Sequence, residues 1–172
     1  MNDYCRRLLD VARTVQAEVD EHFLPPAEIA RRAKDNVLPY SHFQGTRGYL
    51  EKLVFQINAT YEQTCYDACA VVIRRLVEIL VIEAFEYQGI EDRIKDENGN
   101  FVRLEELINM AISETVWNLS RNTKRGLRNL KGIGDLSAHG RRYNAHRSDI
   151  DKIANDLRVT TEEFLYLAGL RK

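Results

Sequence analysis

The stretch from Leu119 to Arg147, LSRNTKRGLRNLKGIGDLSAHGRRYNAHR, gathers the residues of this chain best suited to chemistry. It carries eight Lys/Arg (Arg121, Lys124, Arg125, Arg128, Lys131, Arg141, Arg142 and Arg147) against one acid, Asp135, together with His139 and His146. Histidine titrates near neutrality and can move a proton. Clustered guanidinium and ammonium groups attract anions. In a helix running to His139, a step of about 100° per residue puts Arg121, Lys124, Arg125, Arg128, Asp135 and His139 on one side. Leu119, Leu127, Leu130 and Ile133 fall on the other. Gly126 and Gly134 lie towards the apolar side, where a missing side chain lets two helices approach closely. The pattern is a basic, His-bearing face backed by a packing face. Such a face can do proton chemistry, bind an anion or simply meet solvent.

Other chemistries find no footing. There is no G-x-x-x-x-G-K-[ST] phosphate loop and no His-Glu-x-x-His, and Ser137 has nothing to mark it as a nucleophile. Three cysteines, Cys5, Cys65 and Cys69, form no metal-ligand cluster and suit reduced thiols in a cytoplasmic protein. No metal and no cofactor are expected. The N-terminus, MNDYCRRLLD, lacks the apolar core of a secretory signal. The longest apolar runs are broken by Arg74, Arg75, Glu78 and Glu83, so no membrane span is expected.

The net charge is -1, which by itself predicts no polyanion partner. The distribution says more. Residues 77–114 hold ten acids and three bases, while residues 117–147 hold eight bases and one acid. Two such segments either neutralise each other as neighbouring helices or leave a basic patch exposed.

Hydrophobic periodicity supplies the elements that must position this face. Asp3 to Phe23 reads as an amphipathic helix, stopped by Pro25-Pro26, with a short helix from Pro26 to Lys34. Residues 35–48, with Pro39, Gly45 and Gly48, form either a linker or an ordered loop laid over the bundle, and His42 in it is expected to be solvated. Tyr49 to Glu62 is helical by period. Tyr66 to Tyr87 is apolar on most sides and should be the central helix of a bundle. In it, Arg74 is expected to pair with Glu78 while Arg75 snorkels; the functional alternative is that one of them lines an anion pocket. Gly89 ends that helix, and Asp96 to Asn100 makes a turn. A helix follows from Leu104 to Ala111, then the basic stretch, then a last helix for which Ser148 reads as the N-cap. No segment alternates long enough for a strand, so the expected class is all-α: a four-helix core from about Tyr61 onward, preceded by two or three helices.

The stretches YDACAVVIRRLVEIL, LSRNTK and LKGIGDLSAHGRRYNA resemble a bacterial helical family of unknown function. That family is related to the HEPN superfamily (the higher-eukaryote and prokaryote nucleotide-binding domains), especially to HEPN-like domains appended to some restriction systems. The resemblance covers residues 61–170, and TRGYLEKLVFQIN at 46–58 is also similar to the family. It implies a HEPN-like four-helix bundle at 59–172 with additional N-terminal helices at 1–58, and a homodimer. Active HEPN members are metal-independent RNases. Their motif is Arg, a polar residue, a few more residues and then His, on a helix at the dimer interface. There Arg neutralises the phosphate and His shuttles the proton. Carried over, His139 matches the His, Asp135 the polar residue, and Gly134 occupies the Arg slot. Arg141 and His146 also satisfy the bare spacing.

The resemblance therefore implies a dimeric module with a degenerate nuclease motif, binding RNA, a nucleotide or an acidic partner through Arg121, Lys124, Arg125, Arg128 and Lys131. One alternative is a metal-independent endoribonuclease, a toxin or phage-defence effector, with His139, Asp135, Arg141 and Arg142 as catalytic candidates. The other is a purely structural dimerisation module. It requires Arg121, Lys124 and Arg128 to reach Glu78, Glu83, Glu105 or Glu106.

Overall fold

A computed structural model describes residues 34–171 and, before them, only Val11. Residues 34–171 lie in the second of two compact units, Ala33–Lys172, and Val11 in the first, Met1–Arg32. The helix expected from Asp3 to Phe23, most of the one expected from Pro26 to Lys34, and Cys5 lie outside the described residues.

The described part is all-α. Five helices follow one another: α1 (Gly48–Glu62), α2 (Tyr66–Tyr87), α3 (Leu104–Ser113), α4 (Arg121–His139) and α5 (Arg147–Leu167). Extended pairing among the described residues is limited to one isolated bridge, Lys95 to Phe101. It closes the 96–100 turn, where the Asp96 carboxylate accepts from the Asn98 and Asn100 amides.

Helix α2 is the axis of the bundle. Its seven Val and Ile residues disfavour a helix by at most about 0.7 kcal/mol each. Full burial of such a side chain is worth about 1.5–3 kcal/mol. Ile73, Val77 and Val81 are buried, and Leu76, Leu80 and Phe85 join them. Packing therefore overrides propensity, and α2 stays helical because α1, α4 and α5 all close on it. The four central helices are thus α1, α2, α4 and α5, with α3 packed beside α2 and α4. This corrects the expectation of a four-helix core starting near Tyr61. The boundary drawn at 58/59 falls inside α1, whose Leu50, Leu53, Val54 and Ile57 belong to the same core.

Residues 34–47 are an ordered loop over the bundle. Val37, Leu38 and Phe43 are buried. The buried Asn58 side chain holds the segment down: its oxygen accepts from the Val37 and Leu38 amides (2.9 and 3.1 Å), and its nitrogen donates to the Leu38 carbonyl (2.7 Å). His42, expected to be solvated, is half-buried, with Nδ1 3.3 Å from Glu162 Oε1. The last helix begins one residue before Ser148. His146 is its N-cap, and Asp149 accepts from the His146 amide at 3.0 Å.

Candidate functional site

The basic stretch forms one helix, α4, ending at His139 as the pattern predicts. Ser120 caps its start, with Oγ accepting from the Thr123 amide at 3.1 Å. No acid stands in the first turn of α4 itself. The acid comes from α5: Glu163 accepts from the Ser120 amide and hydroxyl, both at 2.8 Å, and from the Thr123 hydroxyl. Nothing in the local sequence of α4 signals this partner, which lies about forty residues downstream.

Three cations run along one edge of α4 at the i, i+3, i+7 spacing: Arg121, Lys124 and Arg128. Arg121 and Arg128 are exposed and Lys124 is half-buried. None has an acidic partner among the described residues. Arg121 and Lys124 stand at the positive end of the helix dipole, where each cation costs about 0.3–1 kcal/mol. None of the three meets Glu78, Glu83, Glu105 or Glu106. Glu83 is instead engaged by the Tyr49 hydroxyl and by Arg47, 3.6 Å away, and burial pushes its carboxyl above the usual range.

The other candidate cations of α4 are occupied. Arg125 lies 3.3 Å from Asp156, which also accepts from Asn129 at 2.8 Å. Lys131 Nζ contacts Asp135 Oδ2 at 2.6 Å and Glu105 Oε2 at 2.5 Å. The second oxygen of Asp135 accepts from Arg74 Nε at 2.8 Å. Arg74 also sits 3.9 Å from Glu78, the partner expected from sequence. Arg74, Lys131, Asp135 and Glu105 thus form one ladder joining α2, α3 and α4. Hydrogen bonds that Lys131 donates to Asp135 and Glu105 raise its pKa. Burial opposes ionisation of Asp135, but the bonds from Lys131 and Arg74 outweigh it and hold the carboxyl below its usual value.

Gly134 explains the geometry of that ladder. A Cβ built on it would stand 2.5 Å from Arg74 Cβ and 2.9 Å from Arg74 Cδ. The stem of Arg74 crosses α4 where Gly134 has no side chain, and its guanidinium lands on Asp135. The arginine that meets Asp135 therefore comes from α2, sixty-one residues earlier.

His139 is the last residue of α4 and is exposed. Arg141 and Arg142 follow in the connecting loop, exposed as well. None of the three has a hydrogen-bonding or ion-pair partner among the described residues. The structure brings Asp135 and Lys131 together and leaves His139, Arg141 and Arg142 open to solvent one turn or more further on. His146 is spent as the start of α5.

No group of three or more His, Cys, Asp or Glu that could hold a metal occurs among the described residues. No described helix is long and apolar enough to cross a membrane. Comparisons with protein-family models, curated proteins and solved structures return no match.

Proposed function

We propose that this chain is a HEPN-like RNA-binding module that acts as a homodimer and holds RNA without cutting it. The observation that carries the reading is the row Arg121, Lys124 and Arg128, left without acidic partners beside an acid-rich segment. Three cations kept unpaired, two of them against the helix dipole, suit a partner that brings its own negative charge. Arg141 and Arg142 extend the positive surface past the end of α4. Binding is favoured over cleavage because Asp135 is engaged by two cations and His139 has no neighbouring group to orient it. Leu136, half exposed on α4, offers an apolar side chain that a second copy would cover.

Fluorescence anisotropy with a labelled single-stranded RNA over a range of salt tests the reading. Three phosphates neutralised by the row predict a log–log slope of about -2. Replacing Arg121, Lys124 and Arg128 together by Gln should weaken binding and flatten the slope. RNA recovered after the titration in EDTA should be intact. Absence of binding at low salt, or an unchanged slope in the triple variant, rejects the proposal.

One observation favours a second reading, a metal-independent endoribonuclease. Arg74 supplies a guanidinium to Asp135, one helical turn before His139, so an arginine, a polar residue and a histidine succeed one another after all. Cleavage of labelled RNA in EDTA that disappears in His139→Ala would establish this reading over the first.

A further inference from the structure

A different part of the bundle holds a cavity that no residue of α4 lines. It lies where α1 stops and where α2 and α5 start. Its volume is about 230 Å³, and Lys34, Asn36, Tyr61, Thr64, Tyr66 and Arg147 form most of its wall. We propose that this cavity binds a phosphate monoester, with the phosphate between Arg147 and Lys34 and the organic group against the tyrosine rings.

Arg147 is the centre of the argument. Its Nε donates to the Tyr61 hydroxyl at 2.9 Å, and its guanidinium lies 5.5 Å from the centre of the Tyr61 ring. The Tyr61 hydroxyl in turn donates to Asp151 Oδ1 at 2.5 Å, and Asp151 Oδ2 stands 3.7 Å from Arg147 Nε. One edge of the guanidinium is thereby fixed, while its two terminal nitrogens have no partner among the described residues. A guanidinium anchored through Nε presents the planar fork that matches two phosphate oxygens.

The surroundings add to this. Lys34 has no acidic partner among the described residues. Asn36 and Thr64 bring side-chain donors that make no other hydrogen bond among these residues. The positive end of one helix opens here: no side chain caps the start of α2, whereas Asp149 already occupies the start of α5. Glu62 is the one carboxylate in the wall, against two cations. The Tyr61 and Tyr66 rings meet edge to face, with centroids 5.7 Å apart, and give an apolar side to the cavity. The volume falls just below the roughly 300–1,000 Å³ of ordinary ligand pockets. It suits a phosphate with one small organic group.

Isothermal titration of the full chain with phenyl phosphate and with inorganic phosphate tests the assignment. Phenyl phosphate should bind saturably and more tightly than inorganic phosphate. Arg147→Gln should weaken it about tenfold or more, and Lys34→Gln a few-fold. Arg147 and Lys34 are both exposed, so a melting curve matching the parent's shows that these variants fold. The α4 triple variant should bind phenyl phosphate within about twofold of the parent, which separates this site from RNA binding. Lack of saturable binding, equal affinity for the two probes, or an unchanged affinity in Arg147→Gln overturns the proposal.

Discussion

Gly134→Ala is the most direct test of how α2 and α4 meet. The added Cβ would stand 2.5 Å from Arg74 Cβ and 3.1 Å from Arg74 Cγ. Those atoms belong to the root of the side chain, so no rotation of the guanidinium relieves the contact, and the two helices must separate. Overpacking of this kind costs about 1–3 kcal/mol. Alanine recovers up to about 1 kcal/mol as a better helix former than glycine. The net expectation is a loss of about 1–2 kcal/mol, or a fall in Tm of roughly 2–8 °C for a chain of this size. Gly132→Ala supplies the control two residues away. Nothing lies within 4 Å of its Cβ, so only the propensity gain applies, a stabilisation of about 0.5–1 kcal/mol. Urea and thermal unfolding of both variants measure the gap, expected to be about 1–3 kcal/mol because the propensity gain is common to both. If Gly134→Ala proves as stable as Gly132→Ala, Arg74 does not cross α4 at this point, and the origin assigned to the Arg74–Asp135 pair fails with it.

Asp135→Asn should lower stability by about 1.5–3 kcal/mol, because it removes a carboxylate that accepts from two cations. The pKa of Asp135 is depressed on folding, so its contribution is complete above the unfolded value near 3.8 and is lost as pH falls through the lower folded value. The parent should therefore lose stability more steeply than Asp135→Asn below about pH 4 in acid-unfolding curves. Asn58→Ala should cost about 2–4 kcal/mol by orphaning the Val37 and Leu38 amides, and should expose residues 34–47 to limited proteolysis. Iodoacetamide followed by peptide mass spectrometry should label the exposed Cys65 in the native protein and spare Cys69. Burial pushes the Cys69 thiol up to about 11, so it should react only after denaturation.

The helices were legible because each carries a periodic apolar stripe. Tyr66 to Tyr87 agrees with its expected span residue for residue, and α4 ends at His139 as expected. What periodicity leaves open is which neighbour a face meets. Lys131 and Asp135 stand on the same side of the helical wheel as Arg128, yet they turn to α2 and α3 because Arg74 and Glu105 wait there. The loop at 34–47 looked irregular because its order depends on side chains of α1, Asn58 and Glu51, that no local period marks. Glu163 was missed for the same reason: its role comes from partners on another helix, and no local spacing encodes it. Gly134, by contrast, stood out in the sequence because the HEPN resemblance implies an arginine at that position. The structure supplies its reason, the passage of Arg74.

Gly126 and Gly134 have a joint effect that neither has alone. A Cβ on Gly126 would meet Thr160 Oγ1 of α5 at 2.5 Å, just as one on Gly134 would meet Arg74 of α2. Eight residues separate the two, which is about 12 Å along the axis and about 80° around it. Two notches offset in both senses, each fitted to a different neighbour, key α4 like a splined shaft. Sliding by one turn or rolling by one residue would drive a side chain into each neighbour in place of a glycine. The azimuth of α4 is thereby set from its packed side. The direction in which Arg121, Lys124 and Arg128 point is fixed by residues on the opposite side of the helix.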